Sequence, residues 1–454
     1  MEITTQNPAT EEFLATYPQM SGRAVDEALS DAVRAQADLA CHTMEERCGM
    51  LNNLAALLES NTATLAQLIT SEMGKPLTQS IAEVTKCAFL CRWTSENAPR
   101  ILADRIERVD GHEATVHYDP FGVVLAIMPW NFPLWQTLRY AAPAIAAGNG
   151  MLLKPAPITT GTGLAITRLI ELAGVPQGAM QCLLIDVDRV PLVLSDARVQ
   201  GVTFTGSTRA GAAVAELAGK HVKKSLLELG GNDAYVVCAD ADVESAAAVC
   251  AEARLINSGQ SCVAAKRFLV HRSIADYFTD ALSRVLGAAV VGNPMDEGVS
   301  VGPLARRDLQ QGVLDQVDRA IAAGGRLWPM SIQAELPQQG FFVQPSVIRN
   351  VPAGCAVADE EIFGPVALVY AVANDEEAIR IANSSRYGLG AAVFSADADR
   401  ARTIAKKLDA GMVAINSMVR SHPQLPFGGV KNSGYGRELG EDGLREFTTV
   451  KVIR

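Results

Sequence analysis

Apolar positions recur at helical spacing through the first hundred residues of the chain. Val25, Ala28, Leu29, Ala32 and Val33 share one face, and Leu51, Leu54, Leu57 and Leu58 repeat the stripe. Gly74-Lys75-Pro76 interrupts the run and the period resumes over Ile81–Trp93, so residues 24–100 are predicted to form consecutive helices. From Thr115 the period changes. Thr115–Tyr118 alternates like an exposed strand, whereas Val123–Ile127 is unbroken and apolar, as in a strand covered on both faces. A helix to about Ala147, a strand Met151–Leu153 ending at Lys154, a helix Gly163–Ala173 and strands near 181–185 and 201–205 follow. A second series starts after Gly231: strand 234–238, helix 243–256, strand 267–271, helix 274–289, and later elements at 376–383, 390–394 and 400–408. This alternation predicts parallel α/β sheets with polar groups gathered at the strand C-termini. Thr448–Ile453 alternates again and is predicted to pair with the Thr115 strand or with another subunit's edge.

At 454 residues the chain exceeds one ordinary core, which predicts two domains with appendages. A net charge of −10, with no basic block, argues against a nucleic-acid or anionic-membrane surface. Nine cysteines without regular spacing make no disulfide framework, and Cys87 and Cys91 at i,i+4 read as helix-face packing rather than metal ligands. The N-terminus lacks a charged and apolar leader, and no apolar run is long enough to span a bilayer, so a reduced, cytoplasmic protein is expected.

Several segments carry chemistry. Cys262 ends a Gly-Gln-Ser-Cys turn, and a thiol nucleophile needs a base and an oxyanion site elsewhere in the chain. Glu228, among leucines and before two glycines, suits a base of raised pKa or a buried ion pair. Asn131, stiffened by Pro129 and Pro133, suits an oxyanion donor or a turn bonding its own backbone. Lys154 ends a strand, where its ammonium can reach a ribose or phosphate or lie along the surface. Gly206-Ser207 ends one strand and opens a helix, as an anion site or an ordinary cap. Glu361 and Phe363 pair an acid with an aromatic ring before a rigid turn. Gly161-Thr-Gly163 and Gly434-Tyr-Gly436 begin dinucleotide-like motifs without completing them, and read as turns.

Taken together, Pro129-Trp-Asn131-Phe-Pro133, Lys154-Pro, Phe204-Thr-Gly-Ser207, Glu228-Leu-Gly-Gly231, Gly259-Gln-Ser-Cys262, Glu361-Ile-Phe363-Gly-Pro365 and Pro426-Phe-Gly-Gly429 resemble the aldehyde dehydrogenase superfamily, in order from Asn7 to the C-terminus. The resemblance implies a Rossmann-like cofactor domain (1–110 and 121–228), a catalytic domain (229–421) and a small β oligomerisation arm (111–120 and 430–454) in a homodimer or homotetramer. It implies that Cys262 attacks an aldehyde, that Asn131 and the Cys262 N–H hold the oxyanion, that Glu228 activates the water that releases the acid, and that Lys154 belongs with these catalytic residues as well as with the cofactor. Ile127, Trp130, Lys154, Gly206, Ser207, Leu229, Glu361 and Phe363 would line the cofactor. Pro157 stands where NAD-selective relatives often carry glutamate, and Ile185-Asp-Val-Asp188 replaces a Gly-rich turn, so NAD and NADP both stay open.

For the small-molecule substrate, Arg139 and Ser421 resemble the carboxylate-binding residues of succinate semialdehyde dehydrogenases, although Ile256 stands where their second arginine would be. Arg420 and His422 are candidates to compensate. Two alternatives accompany this expectation: a dehydrogenase of uncharged or amino aldehydes with a structural Arg139, and a silent protein on the same fold.

Overall fold

Alanine and leucine at helical spacing fold the N-terminal region into the helices Gly22–Cys41, Met44–Ser60, Thr62–Met73 and Leu77–Ile101 in the computed structural model, which describes residues 2–330, 335–352 and 354–454. Gly74, at φ 79, ends the third helix, and Pro76 opens the fourth. That fourth helix is longer than its apolar period predicts. It runs through Pro99 because Ala98 and Ile101, both fully buried, hold its last turn in the core. Cys87 and Cys91 are buried on the same helix.

Among the described residues the chain forms two large sheets. The first runs Gly434–Tyr435, Lys224–Glu228, Val199–Thr205, Val123–Ile127, Gly150–Lys154, Met180–Cys182, parallel except for its first strand. The second runs Arg326–Leu327, Ser346–Arg349, Val366–Val372, Arg267–His271, Ala234–Val237, Gly390–Phe394, Met412–Ile415, and only Arg326–Leu327 is antiparallel. Helices cover the faces, so strand side chains are buried on both sides. The chain passes from the first sheet to the second between Glu228 and Ala234.

A third, antiparallel sheet joins Thr448–Ile453, His112–Pro120 and Arg105–Val109. The C-terminal strand thus pairs with the Thr115 strand of its own chain. Two expected boundaries move. Arg105–Val109 belongs with this arm rather than with 1–110, because the turn at Asp110-Gly111, both at positive φ, folds it onto His112–Pro120 as a hairpin. Residues 430–435 leave the arm: Val430–Lys431 pairs with Tyr387–Gly388, and Gly434–Tyr435 extends the first sheet beside Glu228. Gly161 and Gly163 lie in the helix Thr160–Leu172.

Candidate active site

Three parallel strands of the first sheet end side by side. Ile127 is in register with Lys154 on one neighbour and Phe204 on the other, so Trp130, Lys154 and Gly206-Ser207 all leave the sheet at one edge. Such an edge is where open α/β sheets take ligands. Lys154 is 5% exposed, and its ammonium has one long protein contact, 3.4 Å to the Pro155 carbonyl. Burial depresses its pKa and Asp186 partly restores it. A buried cation so poorly paired fits the hydroxyls or phosphate of a dinucleotide. Ser207 caps the helix Thr208–Lys220 by accepting from the Ala210 N–H at 3.3 Å. Gly206 N–H bonds the Glu228 carbonyl at 2.9 Å, and Leu229 packs so closely on Gly211 that a Cβ there would lie 2.4 Å away. Pro157 is exposed at the start of the turn Pro157–Thr159, and Gln19 holds the Asp186 carboxylate at 2.8 Å.

After the helix Val243–Leu255, Asn257, Ser258 and Gly259 take left-handed backbone (φ 51, 56 and 80). For Asn257 and Ser258 this costs about 1 to 3 kcal/mol each, and the surroundings hold it. Gln79 accepts from Asn257 N–H at 2.7 Å, Ser258 Oγ accepts from Gly302 N–H at 2.9 Å, and Arg254 donates to the Gly259 carbonyl at 2.8 Å. A Cβ on Gly259 would sit 2.3 Å from Gly364, so the Gly-Gln-Ser-Cys and Ile-Phe-Gly-Pro segments meet backbone to backbone. Lys266, fully buried, donates to the carbonyls of Ser261 (3.0 Å) and Cys262 (2.5 Å) and lies 3.4 Å from Glu361, which accepts from Gly231 N–H at 3.0 Å. One cation therefore ties the cysteine turn to the Glu361 loop and the Glu228–Gly231 crossing. Phe363 meets the Trp130 ring edge-on at 5.8 Å.

Cys262 lines a cavity of about 820 Å³. Burial pushes its thiol up to about 12; Lys266 and Arg139 pull it down, and Glu361 and Glu228 push it further up. Asn131 meets the cysteine turn two residues earlier, at Gln260, and is oriented from both ends: Oδ1 accepts from Gln136 at 3.0 Å and Nδ2 donates to the Gln260 carbonyl at 3.1 Å. One amide N–H remains for a ligand. The helix Pro133–Ala147 that begins there has no cap of its own. Glu83 supplies one from another helix, accepting from Leu134 and Trp135 N–H at 3.0 Å each, and Lys75 neutralises Glu83 in a fully buried pair.

Glu228 is 2% exposed, with no hydrogen-bond partner for either carboxylate oxygen. Burial and the nearby Glu438 push its pKa well up, while Arg139 and Arg437 act the other way. Gly428 gives it room, since a Cβ there would meet Oε1 at 2.9 Å. Arg139 lines the cavity, but its charge is taken: Nε lies 2.8 Å from Glu438 Oε2, both residues 3% exposed, and its guanidinium sits 4.7 Å from the Phe427 ring centroid. Ser421 Oγ accepts from Lys86 Nζ at 2.8 Å and from Trp135 Nε1 at 3.1 Å. Arg420 pairs with Glu252, His422 meets Phe89, and Ile256 adds to the apolar wall.

The motif reading passes over Lys75, Glu83, Lys86, Lys266 and Glu438. Signals existed for two of them. Glu438-Leu-Gly repeats the Glu228-Leu-Gly pattern, and Lys266 is a cation directly before a buried strand. Among the described residues no cluster of His, Cys, Asp or Glu could hold a metal, and no helix is long and apolar enough to cross a membrane.

The model of the aldehyde dehydrogenase family matches residues 1–453. The chain is 42% identical to a succinate-semialdehyde dehydrogenase [NADP(+)] of Deinococcus radiodurans, covering all of this chain and 94% of the relative. It is 40% identical to the succinate semialdehyde dehydrogenase [NAD(P)+] Sad of Escherichia coli, over 98% and 96% of the two chains. The crystal structure of succinic semialdehyde dehydrogenase from Streptococcus pyogenes in complex with NADP+ superposes with a TM-score of 0.97 at 37% identity, covering 100% of this chain and 99% of that one. The chain belongs to the aldehyde dehydrogenase family.

Proposed function

We propose that this enzyme oxidises succinate semialdehyde to succinate with NADP+. The observation that carries the reading is the cavity at Cys262, whose walls are apolar (Phe132, Trp135, Val263) but which also presents Lys86, Arg139 and Arg420, with the lining acids Glu83 and Glu252 already paired to Lys75 and Arg420 and Arg139 paired to Glu438. An apolar slot with cations admits a short chain ending in a carboxylate. It disfavours an amino aldehyde, whose ammonium would meet like charge.

In this reading Cys262 gives its thiol proton to water and Sγ bonds to the aldehyde carbon, and Asn131 Nδ2 with the Cys262 N–H holds the oxyanion of the thiohemiacetal. The hydride that this carbon loses, leaving a thioester on Cys262, would go to a bound NADP+. Glu228 then takes a proton from the water that attacks the thioester; Sγ leaves and the acid is released. Lys154 and Ser207 hold the adenosine side of the cofactor, with Ile127, Trp130, Gly206 and Leu229 lining it, and Glu361 and Phe363 hold the nicotinamide side. Pro157 presents no acid to a ribose 2′-phosphate, which supports NADP+, and the names of the relatives point the same way. Residues up to 104 and 121–228 serve the cofactor and residues 229–421 carry the nucleophile. Exposed Ile106, Val450, Val452 and Ile453 on the third sheet support its use in a homodimer or homotetramer.

Initial rates of NADPH and NADH formation with succinate semialdehyde, beside the uncharged, length-matched butanal, test the reading. A preference of tens-fold for the semialdehyde with NADP+ is expected. Equal rates on the two aldehydes would contradict the substrate assignment.

A further inference from the structure

Four residues after the nucleophile the chain buries a cation that the proposed chemistry leaves without a role. Lys266 is fully buried and stands directly before the strand Arg267–His271. Its backbone is fixed from both sides: the Asp233 carbonyl accepts from Lys266 N–H at 3.1 Å, and the Lys266 carbonyl accepts from Leu368 N–H at 3.0 Å. Burying an ammonium is costly unless each of its three N–H groups finds an acceptor. Here the acceptors are the Ser261 carbonyl at 3.0 Å, the Cys262 carbonyl at 2.5 Å and Glu361 Oε1 at 3.4 Å.

The Ser261 contact reaches the reacting centre. The Ser261–Cys262 peptide is planar and trans, so its carbonyl and the Cys262 N–H point in opposite directions. That carbonyl has both lone pairs in use, accepting from Lys266 Nζ and from Ala264 N–H at 3.1 Å. Holding it there holds the Cys262 N–H on the other side of the turn, where no backbone carbonyl among the described residues accepts from it. The Glu361 contact reaches the cofactor side. Oε1 is taken by Lys266 and by Gly231 N–H at 3.0 Å, while Oε2 lies over Gly230, where a Cβ would sit 2.4 Å from it. One carboxylate oxygen is thus fixed by the protein and the other is left to a ligand.

We infer that Lys266 is the positioning residue that aims the Cys262 N–H at the oxyanion and, through Glu361, ties the cysteine turn to the seat of the cofactor. The inference rests on the reading of Cys262 as nucleophile and Glu361 as cofactor residue, and deepens it by assigning the cation that sets both. A neutral amide could make the same hydrogen bonds, so the charge has a use of its own: it favours the thiolate over the thiol.

Charges from several elements meet here. Burial holds the Cys262 thiol high; Lys266 acts against it first and Arg139 of the helix Pro133–Ala147 second, while Glu361 and Glu228 push the thiol further up. Lys266 in turn serves Asp233, whose carboxyl is pushed up to about 6 by burial and drawn down by the ammonium. Arg254, fully buried, lies near the same two acids, Glu361 and Asp233. Removing the Lys266 charge should therefore lower the thiolate fraction, and by one constant factor at every accessible pH, because the thiol titrates far above neutrality.

The test uses two reactions of Cys262 in the full-length, cofactor-free enzyme. Alkylation by iodoacetamide needs the thiolate and no oxyanion site, whereas acylation by p-nitrophenyl acetate, read as the p-nitrophenolate burst, needs both. Lys266→Gln, with folding checked by thermal unfolding, is expected to slow alkylation about tenfold at every pH, the effect of one pKa unit. It should slow acylation about 100-fold, the excess reporting the misaimed N–H. Lys266→Arg should restore the alkylation rate. KM for NADP+ should rise in Lys266→Gln and in Glu361→Gln, and less than additively in the double variant. Glu361→Gln keeps Lys266 and removes a charge that opposes the thiolate, so it should speed alkylation a few-fold even if Lys266→Gln does not fold. Alkylation unchanged in Glu361→Gln or in folded Lys266→Gln, equal loss in the two reactions, or additive effects on KM overturns the inference alone. A wild type that neither reagent modifies at Cys262 overturns the nucleophile reading and the inference with it.

Discussion

Glu438 holds Arg139 at 2.8 Å, and its charge helps keep the Glu228 carboxyl protonated above the usual carboxylate range. Two buried acids and one arginine thus share a site in which neither carboxylate has a hydrogen-bond partner and Glu438, not Glu228, lies within ion-pair distance of Arg139. A general base must lose its proton first, so the protonation of Glu228 sets the pH range of acid release.

The acidic limb of deacylation should move in opposite directions in two variants. Glu438→Gln removes the neighbouring negative charge and frees Arg139, both of which lower the Glu228 pKa, so the limb moves to lower pH by about one unit. Arg139→Met removes a positive charge and moves it to higher pH. The pH dependence of p-nitrophenyl acetate hydrolysis, which acylates Cys262 without cofactor, reads both shifts. Unchanged profiles in both variants would show that the acid pair does not govern the step.

Cys262 should be a thiol, not a thiolate, in the cofactor-free enzyme near neutrality, because burial holds it at about 12. Its thiolate fraction then grows tenfold per pH unit over the accessible range. Inactivation by iodoacetamide should rise steadily to pH 10 without a plateau. A plateau near pH 7 would mean that Lys266 and Arg139 outweigh desolvation.

Asn131→Ala should lower kcat about 100- to 1000-fold with a small effect on KM, the size expected for one oxyanion donor. Gln136→Leu, which frees the amide to turn, should cost less but in the same parameter. Steady-state kinetics on succinate semialdehyde separate the two; a pure KM effect in Asn131→Ala would remove it from the oxyanion site.

Lys75→Met should be destabilising, because it leaves Glu83 buried and charged beneath the helix that follows Asn131. Breaking such a pair costs about 3 to 5 kcal/mol. A lowered thermal unfolding temperature checks it, and wild-type stability would show that Glu83 finds water or a proton instead.

Pro157→Glu should reduce kcat/KM for NADP+ while leaving that for NAD+ within a few-fold, since the new acid repels a 2′-phosphate and can accept from a 2′-hydroxyl. Cofactor rates measured side by side decide it. Equal loss with both cofactors would show that position 157 lies away from the ribose.

Much of the fold was legible because it rests on local patterns. Val123–Ile127 reads as a buried strand from its own five residues, and Lys154 and Ser207 read as strand-end groups from their neighbours. Cys262, Asn131 and Glu228 stand out because turns, prolines and glycines frame them. What stayed hidden depends on pairs far apart in sequence. Glu83 caps a helix fifty residues away, Lys86 meets Ser421 across 335 residues, and Glu438 reaches Arg139 from the far end of the chain. Arg139 shows the cost: its place on the helix was readable, and the acid that occupies its charge was not. Arg105–Val109 was likewise lost to the arm because its hairpin turn, Asp110-Gly111, is seen only as a pairing partner for His112–Pro120.

The most direct test of the central claim is a single turnover of Glu228→Gln with NADP+ and succinate semialdehyde, quenched and analysed by mass spectrometry of the Cys262 peptide. The account predicts a burst of NADPH stoichiometric with active sites and a succinyl thioester that persists on Cys262. NADPH formed at the steady wild-type rate, or no acyl group on that peptide, would contradict it.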